Sequence, residues 1–494
     1  MHTTRRQFLA SATSVALAAT APRLVLSARA DVPSSALSLT IERRTIEVAG
    51  KAASIFGLRQ PDGCAGISAR TGDRLRLRLI NRSGEQALIH WHGQTPPMAQ
   101  DGVPGLSSPP LADGADAAYD FPLRPGTHWM HSHHGLQEQL LMAAPLIVRE
   151  SDAGDHQDVV VMLHDFSFAP PASLLSALHG EAAAGGHGPH GAMPTNQMGD
   201  MMVDHAAHRR QMQEGMAATG SNQPIGHAND IDYDAYLAND RTLDDPQVVR
   251  VDKGGRVRLR LINGATATAF GIDTGTLVAT VLSVDGNPVT PLGGTRFPLA
   301  MGQRIDLAVD IPAEGGAFPI LAVREAARER TGIILATGGA AVKRRAPVGT
   351  RVGSLLDLSL ESRLRAITPL PRRPADRQLK VALGQTGGLY AWTLNGRVHG
   401  QDQPLEVRQG ERVEMTFHNM SMMMHPMHLH GHHFQVVAIN GRPLAGALRD
   451  TVIVPAGMAT LTVAFDADNP GQWPLHCHNL YHMAAGMMTT VRYI

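Results

Sequence analysis

The sequence predicts an all-β protein built from three similar domains, and three observations carry that prediction. Fifty Gly and 32 Pro beside only 4% aromatic residues suit a turn-rich β chain better than a helical one. A length of 494 residues exceeds one ordinary core and corresponds to about three domains of roughly 150 residues. One pattern then occurs three times, as TGDRLRLRLIN at 71–81, KGGRVRLRLIN at 253–263 and QGERVEMTFHN at 409–419. Each copy alternates apolar and polar residues after a glycine-containing turn, the mark of a strand with one buried face. Three copies imply three like domains.

The chain opens with MHTTRRQFLASATSVALAATAPRLVLSARA, in which Arg5 and Arg6 precede Phe8, Leu9 and a modest apolar run, and an A-x-A sequence ends at Ala30. Residues 1–30 resemble a twin-arginine export signal, which implies delivery of a folded protein to a bacterial periplasm. No other segment reaches the about 18 apolar residues of a membrane span. The 44 basic and 44 acidic side chains cancel, which excludes a general attraction for nucleic acid or an anionic membrane surface. Export would permit a disulfide, but Cys64 and Cys477 can pair only if Cys477 has no other work.

The elements divide as follows. The first domain is expected at 36–168, an insert at 169–232, the second domain at 233–345, a linker at 346–377 and the third domain at 378–494. The insert has no aromatic residue and is dense in Gly, Ala, His and Met, so it is expected as a mobile segment or a loosely packed helix. The linker is rich in Arg and Pro.

A second repeat joins the first and third domains: PGTHWMHSH ends at His133 and PGQWPLHCH at His478. Asn81 to His90 and Asn419 to His428 both span nine residues, which lays HWHG at 90–93 on HLHG at 428–431. The corresponding positions of the middle domain are Ile272 and Thr274, so it has the scaffold without the histidines. Residues two apart on a strand share a face, so each H-x-H delivers two imidazoles side by side. A single H-x-H among 25 His is readily coincidence, whereas two pairs at matching offsets in two repeated domains point to a shared metal site. Neutral imidazole suits copper, iron, zinc or nickel. Cys477, with His425, His482 and Met487, adds the ligand set expected of a blue-copper electron-transfer centre. Cys477 faces away from His476 and His478 on its strand, so its sulfur can serve one metal while its neighbours serve others. In the first domain Ala87, Ser132 and Gln137 replace His425, Cys477 and His482.

These four histidine motifs, with the three β repeats, resemble those of the multicopper oxidases over nearly the whole mature chain. The resemblance implies three cupredoxin-like Greek-key β-sandwich domains and four copper ions. By motif, His425, Cys477, His482 and Met487 resemble the type 1 ligands, and His90 and His428 the type 2 ligands. His92, His131, His133, His430, His476 and His478 resemble the ligands of the type 3 pair. The implied activity takes electrons singly at type 1, passes them along the Cys477 path to His476 and His478, and reduces O2 to water by four electrons. Asp101, nine residues after His92, stands where the family places a carboxylate for acid-base work, and it also fits a turn residue in MAQDGVPG. Some relatives carry a glutamate after the second type 1 histidine, where this chain has Met483. His134, His432 and His433 fall off the H-x-H register and are expected at the surface or supporting the ligands; His164, His399 and His418 are expected to be structural.

The electron donor is the remaining question. Methionine thioether favours Cu(I), and Met420, Met422, Met423 and Met424 precede His425, while Met193, Met198, Met201, Met202, Met212 and Met216 lie in the insert. Bacterial cuprous oxidases of copper resistance look like this, which implies oxidation of Cu(I) to Cu(II) with the insert as a copper-recruiting flap. Apolar packing and a spacer are the plainer roles for these segments. Laccase-like oxidation of phenols is the alternative activity, and a periplasmic copper store without turnover the alternative of another class. The expected partners are O2 and Cu(I) or a small phenolic reductant, with no nucleic acid, no membrane span and the chain acting as a monomer.

Overall fold

The computed structural model describes residues 37–151, 154–184, 228–386 and 390–494. The export signal and the six insert methionines, Met193 to Met216, lie outside them. Three two-sheet sandwiches follow one plan. In each, the repeat strand is central to one sheet: Arg74–Arg82, Arg256–Asn263 and Arg412–Asn419. Each runs parallel to an earlier strand, respectively Leu37–Val48, Gln157–Phe166 and Arg377–Gln385. Each runs antiparallel to a later one, Asp116–Pro122, Arg304–Asp310 and Thr460–Asp466. The opposing sheet is centred on Gly126–Ser132, Ala317–Arg324 or Gln472–Cys477, each pairing antiparallel with its successor. The long crossover between parallel strands is what a sandwich of this kind requires.

The strand Gln157–Phe166, expected within the first domain, pairs with Arg256–Asn263 and Ala235–Ala238. It therefore belongs to the second sandwich, whose first strand begins before the insert. The insert itself opens with the helix Pro171–Ala184. The linker is more than a tether, since Leu356, Leu360 and Leu364 are buried and Glu361 accepts a hydrogen bond from Arg449 at 2.7 Å.

The three repeat strands differ in one respect that sequence alternation alone does not show. In the first domain the arginine face is exposed, as expected. In the middle domain Arg258 and Arg260 are buried against the first domain, paired with Glu150, Asp158 and Asp306. Buried charges hold only when matched and hydrogen-bonded; Asp158 and Asp306 match these arginines within the second sandwich, and Glu150 and Thr127 Oγ1 reach them from the first. Among the described residues no helix is long and apolar enough to cross a membrane.

Candidate metal centres

The short strands Ile89–His90 and His425–Leu429 lay the H-x-H motifs against each other. His90 is opposite His131 in the first domain, and His428 is opposite His476 in the third. The two domains then meet face to face through these rings. His90 lies 3.8 Å centroid to centroid from His430, and His92 stacks on His428 at the same distance. His92 Nδ1 faces His131 Nε2 at 3.4 Å, and His430 Nε2 faces His476 Nε2 at 3.0 Å. His133 and His478 complete the cluster, at 5.1 Å from His476 and 5.0 Å from His131. All eight predicted histidines are thus brought together, seven buried and His133 half-buried.

The cluster suits a bound metal. Nε2 of His90, His133, His428 and His478 is buried without a hydrogen-bond partner. Burial holds His92, His131, His133, His428 and His430 well below the usual imidazole range, and His476 and His478 at about 3. These rings are therefore neutral, with lone pairs turned on one another, the state in which imidazole binds a transition metal.

Carboxylates set the rings. Asp101, buried at the end of the turn Met98–Gln100, accepts at Oδ2 from His430 Nδ1 at 2.8 Å, while its backbone carbonyl is the hydrogen-bond partner of His90 Nδ1 at 2.9 Å, with the unpartnered Oδ1 3.1 Å from that nitrogen. It bridges the first and third domains, and it also closes that turn. Asp450 Oδ1 is 3.1 Å from His92 Nε2, and Glu138 Oε2 is 3.0 Å from His131 Nδ1. Such partners fix ring tautomer and orientation. Sequence reasoning missed Asp450 and Glu138. Glu138 had a signal: it follows His133 by five residues as Met483 follows His478, so the first domain carries an acid where the third has none.

The second site lies on the other face of the Cys477 strand. Cys477 Sγ is 3.6 Å from Nδ1 of both His425 and His482, and those nitrogens are 3.1 Å apart. Met487 is buried beside them, its N–H donated to His482 O and its carbonyl accepting from Cys477 N. His482 sits on the short helix Leu480–Ala484, whose cap Asn479 accepts from the N–H of Tyr481 and of His482. The Trp392 ring covers His482 at 4.0 Å and His425 at 5.0 Å. Two supports were not foreseen: Asp230 Oδ2 lies 2.9 Å from His482 Nε2, and Ser421 Oγ 2.7 Å from His425 Nε2. Burial pushes the Cys477 thiol far up, so a thiolate there calls for a cation beside it. Cys64 is exposed and unpaired.

Of the remaining histidines, His432 and His433 support the site. His432 reaches Tyr493 Oη at 2.7 Å, and His433 Nε2 donates to Gly93 O at 2.8 Å. The predicted methionines separate: Met420 and Met422 are 60% and 63% exposed, while Met423 and Met424 pack against the apolar interior.

A Cys, two His and a Met beside an eight-histidine cluster between β-sandwiches are donor sets suited to transition-metal ions. The chain belongs to the multicopper oxidases, whose family models match residues 40–153, 201–340 and 372–493. It is therefore a copper-dependent oxidoreductase that uses O2. It is 34% identical over 435 residues to multicopper oxidase MmcO of Mycobacterium tuberculosis, covering 87% of this chain and 81% of that one. It is 26% identical to copper resistance protein A of Escherichia coli, over 86% of each. Among solved structures, Fet3p, described as a multicopper oxidase that functions in iron import, aligns with a TM-score of 0.73 at 18% identity, over 92% of this chain and 90% of that one. A multi-copper oxidase from Pseudomonas thermotolerans aligns at 0.66 and 23%, over 92% and 98%.

Proposed function

We propose that the chain oxidises Cu(I) in the periplasm and couples this to reduction of O2 to water, in copper tolerance. Its four resident coppers, when bound, would supply one-electron acceptance from the reductant and four-electron reduction of O2. His425, Cys477, His482 and Met487 would hold the type 1 ion. His90 and His428 would hold type 2, with His92, His131, His133, His430, His476 and His478 around the type 3 pair. Cys477 adjoins His476 and His478 in one strand, so a few covalent bonds connect the two sites. Asp101 would orient His90 and His430 and move protons at its carboxylate, in the one place where it touches rings from both domains.

The observation that carries the choice of Cu(I) is a surface of thioethers next to the Cys477 site. Met420 and Met422 are exposed, and Met458, 42% exposed, lies on a neighbouring loop tied to theirs by Gly457 N donating to Ser421 O. Ser421 in turn touches His425. Soft sulfur donors collect Cu(I) in preference to harder ions. Two relatives bearing the name copper resistance protein A agree with this reading. Replacing Met420, Met422 and Met458 together with Ser should lower kcat/KM for Cu(I) while leaving turnover of a phenol unchanged. Equal losses, or none, would exclude this surface. The second reading, oxidation of phenols, draws on relatives named laccases, among them Laccase-2 of Botryotinia fuckeliana at 25% identity. Deleting residues 180–226 tests the insert in the same comparison: loss of Cu(I) oxidation alone supports a recruiting role.

A further inference from the structure

The middle domain supplies none of the predicted ligands, yet one of its turns is built against the histidine cluster. Gly302, at φ +79°, faces His478 so closely that a Cβ there would stand 2.7 Å from the imidazole Cδ2. Gln303 Nε2 donates to Thr451 O at 3.1 Å. Arg304, the next residue, is fully buried and reaches all three domains. Its Nε donates to Thr127 O of the first at 3.2 Å, and its Nη1 to Gly302 O of its own at 2.9 Å. Its two Nη atoms donate to the two oxygens of Asp450 in the third, at 2.7 and 2.5 Å. Asp450 Oδ1 then meets His92 Nε2 at 3.1 Å and accepts from Thr451 Oγ1 at 2.9 Å.

Joining the first domain to the second does not by itself call for this arrangement, because Arg258 and Arg260 already reach Glu150 of the first domain. A planar fork is suited to gripping both oxygens of one carboxylate, and here the gripped carboxylate touches a cluster ring. The glycine of HWHG makes the room. Gly93 has φ +85°, and a Cβ there would lie 2.4 Å from Arg304 Nη2 and 3.0 Å from Asp450 Oδ2.

We infer that Arg304 of the ligand-free middle domain is a positioning residue for the histidine cluster: it pins Asp450 so that Oδ1 takes the Nε2–H of His92 and leaves Nδ1 turned toward His131. The middle domain is thus a third wall of the cluster rather than a spacer. This rests on the reading of the eight histidines as a copper cluster.

The test uses Arg304→Lys, which keeps the charge but loses the fork, and Asp450→Asn, in the full-length copper-loaded enzyme. Copper retained against a chelator, the blue absorption and the melting temperature with and without copper are measured together. Asp450→Asn should weaken retention of cluster copper by about 10–100-fold, as loss of a ligand's carboxylate partner does elsewhere. Arg304→Lys should act in the same direction, more weakly. In both, blue absorption per chain stays at the wild-type value, and the stabilisation gained on copper loading shrinks more than the melting temperature of the copper-free protein. Wild-type copper retention in Arg304→Lys would overturn the inference. So would equal melting losses with and without copper, which is the signature of a purely structural staple. A wild-type enzyme whose cluster takes up no copper would instead overturn the copper reading beneath it, and with it this proposal.

Discussion

In the first domain Ser132 N donates to Met142 O at 3.0 Å, and in the third Cys477 N donates to Met487 O at 3.1 Å. His131 Nδ1 and His476 Nδ1 likewise each face the carbonyl of the next residue, at 3.1 and 2.9 Å. Backbone and cluster histidines therefore superpose in kind, and even the methionine recurs. What differs is how the opposite face of the strand is closed. Ser132 Oγ donates to Gln137 Oε1 at 2.9 Å, Gln137 Nε2 donates to Gln86 O at 2.8 Å, and Ala87 stands at the place of His425. That pair is hydrogen-bonded to itself and offers neither thiolate nor imidazole, whereas Cys477, His425 and His482 leave three converging donors. One strand geometry thus serves both domains, and three side chains distinguish the face that gathers metal donors from the face that does not.

The largest test of that comparison is Cys477→Ser, which makes the third domain resemble the first. Blue absorption and turnover should fall to background while circular dichroism and the copper held by the cluster persist. A blue, active variant would sever the link between the cysteine and electron transfer. Next in size is Asp101→Ala, expected to keep the blue colour and slow O2 consumption by about 10²–10⁴-fold, the usual contribution of a general acid or base. Unchanged turnover would leave Asp101 as the end of its turn and nothing more.

Glu138 offers a subtler contrast, since the third domain has Met483 in its place. Burial raises its carboxyl from 4.5 to about 7. Between those values the copper-free native state holds a proton that the unfolded chain has released, so this group's contribution to stability falls as pH rises. Glu138→Gln removes that contribution. In the copper-free protein its melting temperature should therefore gain on wild type as pH rises through the window. Parallel curves would mean that the carboxyl is not shifted.

Much of this was legible in the sequence because periodicity records it. The repeat strands gave three domains, and the spacing of HWHG, HSH, HPMHLH and HCH named the residues that the fold brings together. The partners of those residues were not legible. Asp450 and Arg304 lie in different domains and meet only because the sandwiches dock, and no local pattern encodes docking. The boundary expected at 168 leaves the strand Gln157–Phe166 apart from its sheet for a related reason: a strand's sheet is set by its pairing partner, here Arg256–Asn263, about 100 residues away. The arginines of that partner strand read as a solvated face and are buried, since ion pairs to Asp306 and Asp158 on the flanking strands and to Glu150 of the first domain substitute for water.

The smallest expected effect on turnover comes from running the comparison in reverse. Ser132→Cys alone should bind no additional copper, because Gln137 and Ala87 supply no imidazole and the new thiol would sit in apolar packing near Met130 and Met142. Adding Ala87→His and Gln137→His restores the set of three donors, with Met142 already at the fourth position. The triple variant should bind one more copper per chain and show added blue absorption. Oxidation rates should change little, since Cys477 remains the entry for electrons. The loss of the Gln137 hydrogen bond to Gln86 should cost about 1 kcal/mol of stability, readable in denaturant melts. If the triple variant gains no copper, the difference between the domains lies deeper than these side chains, in the helix Leu480–Ala484 that presents His482. The first domain has instead the turn Gln137–Leu140 at this point. Grafting that helix would then be the next variant to separate the two accounts.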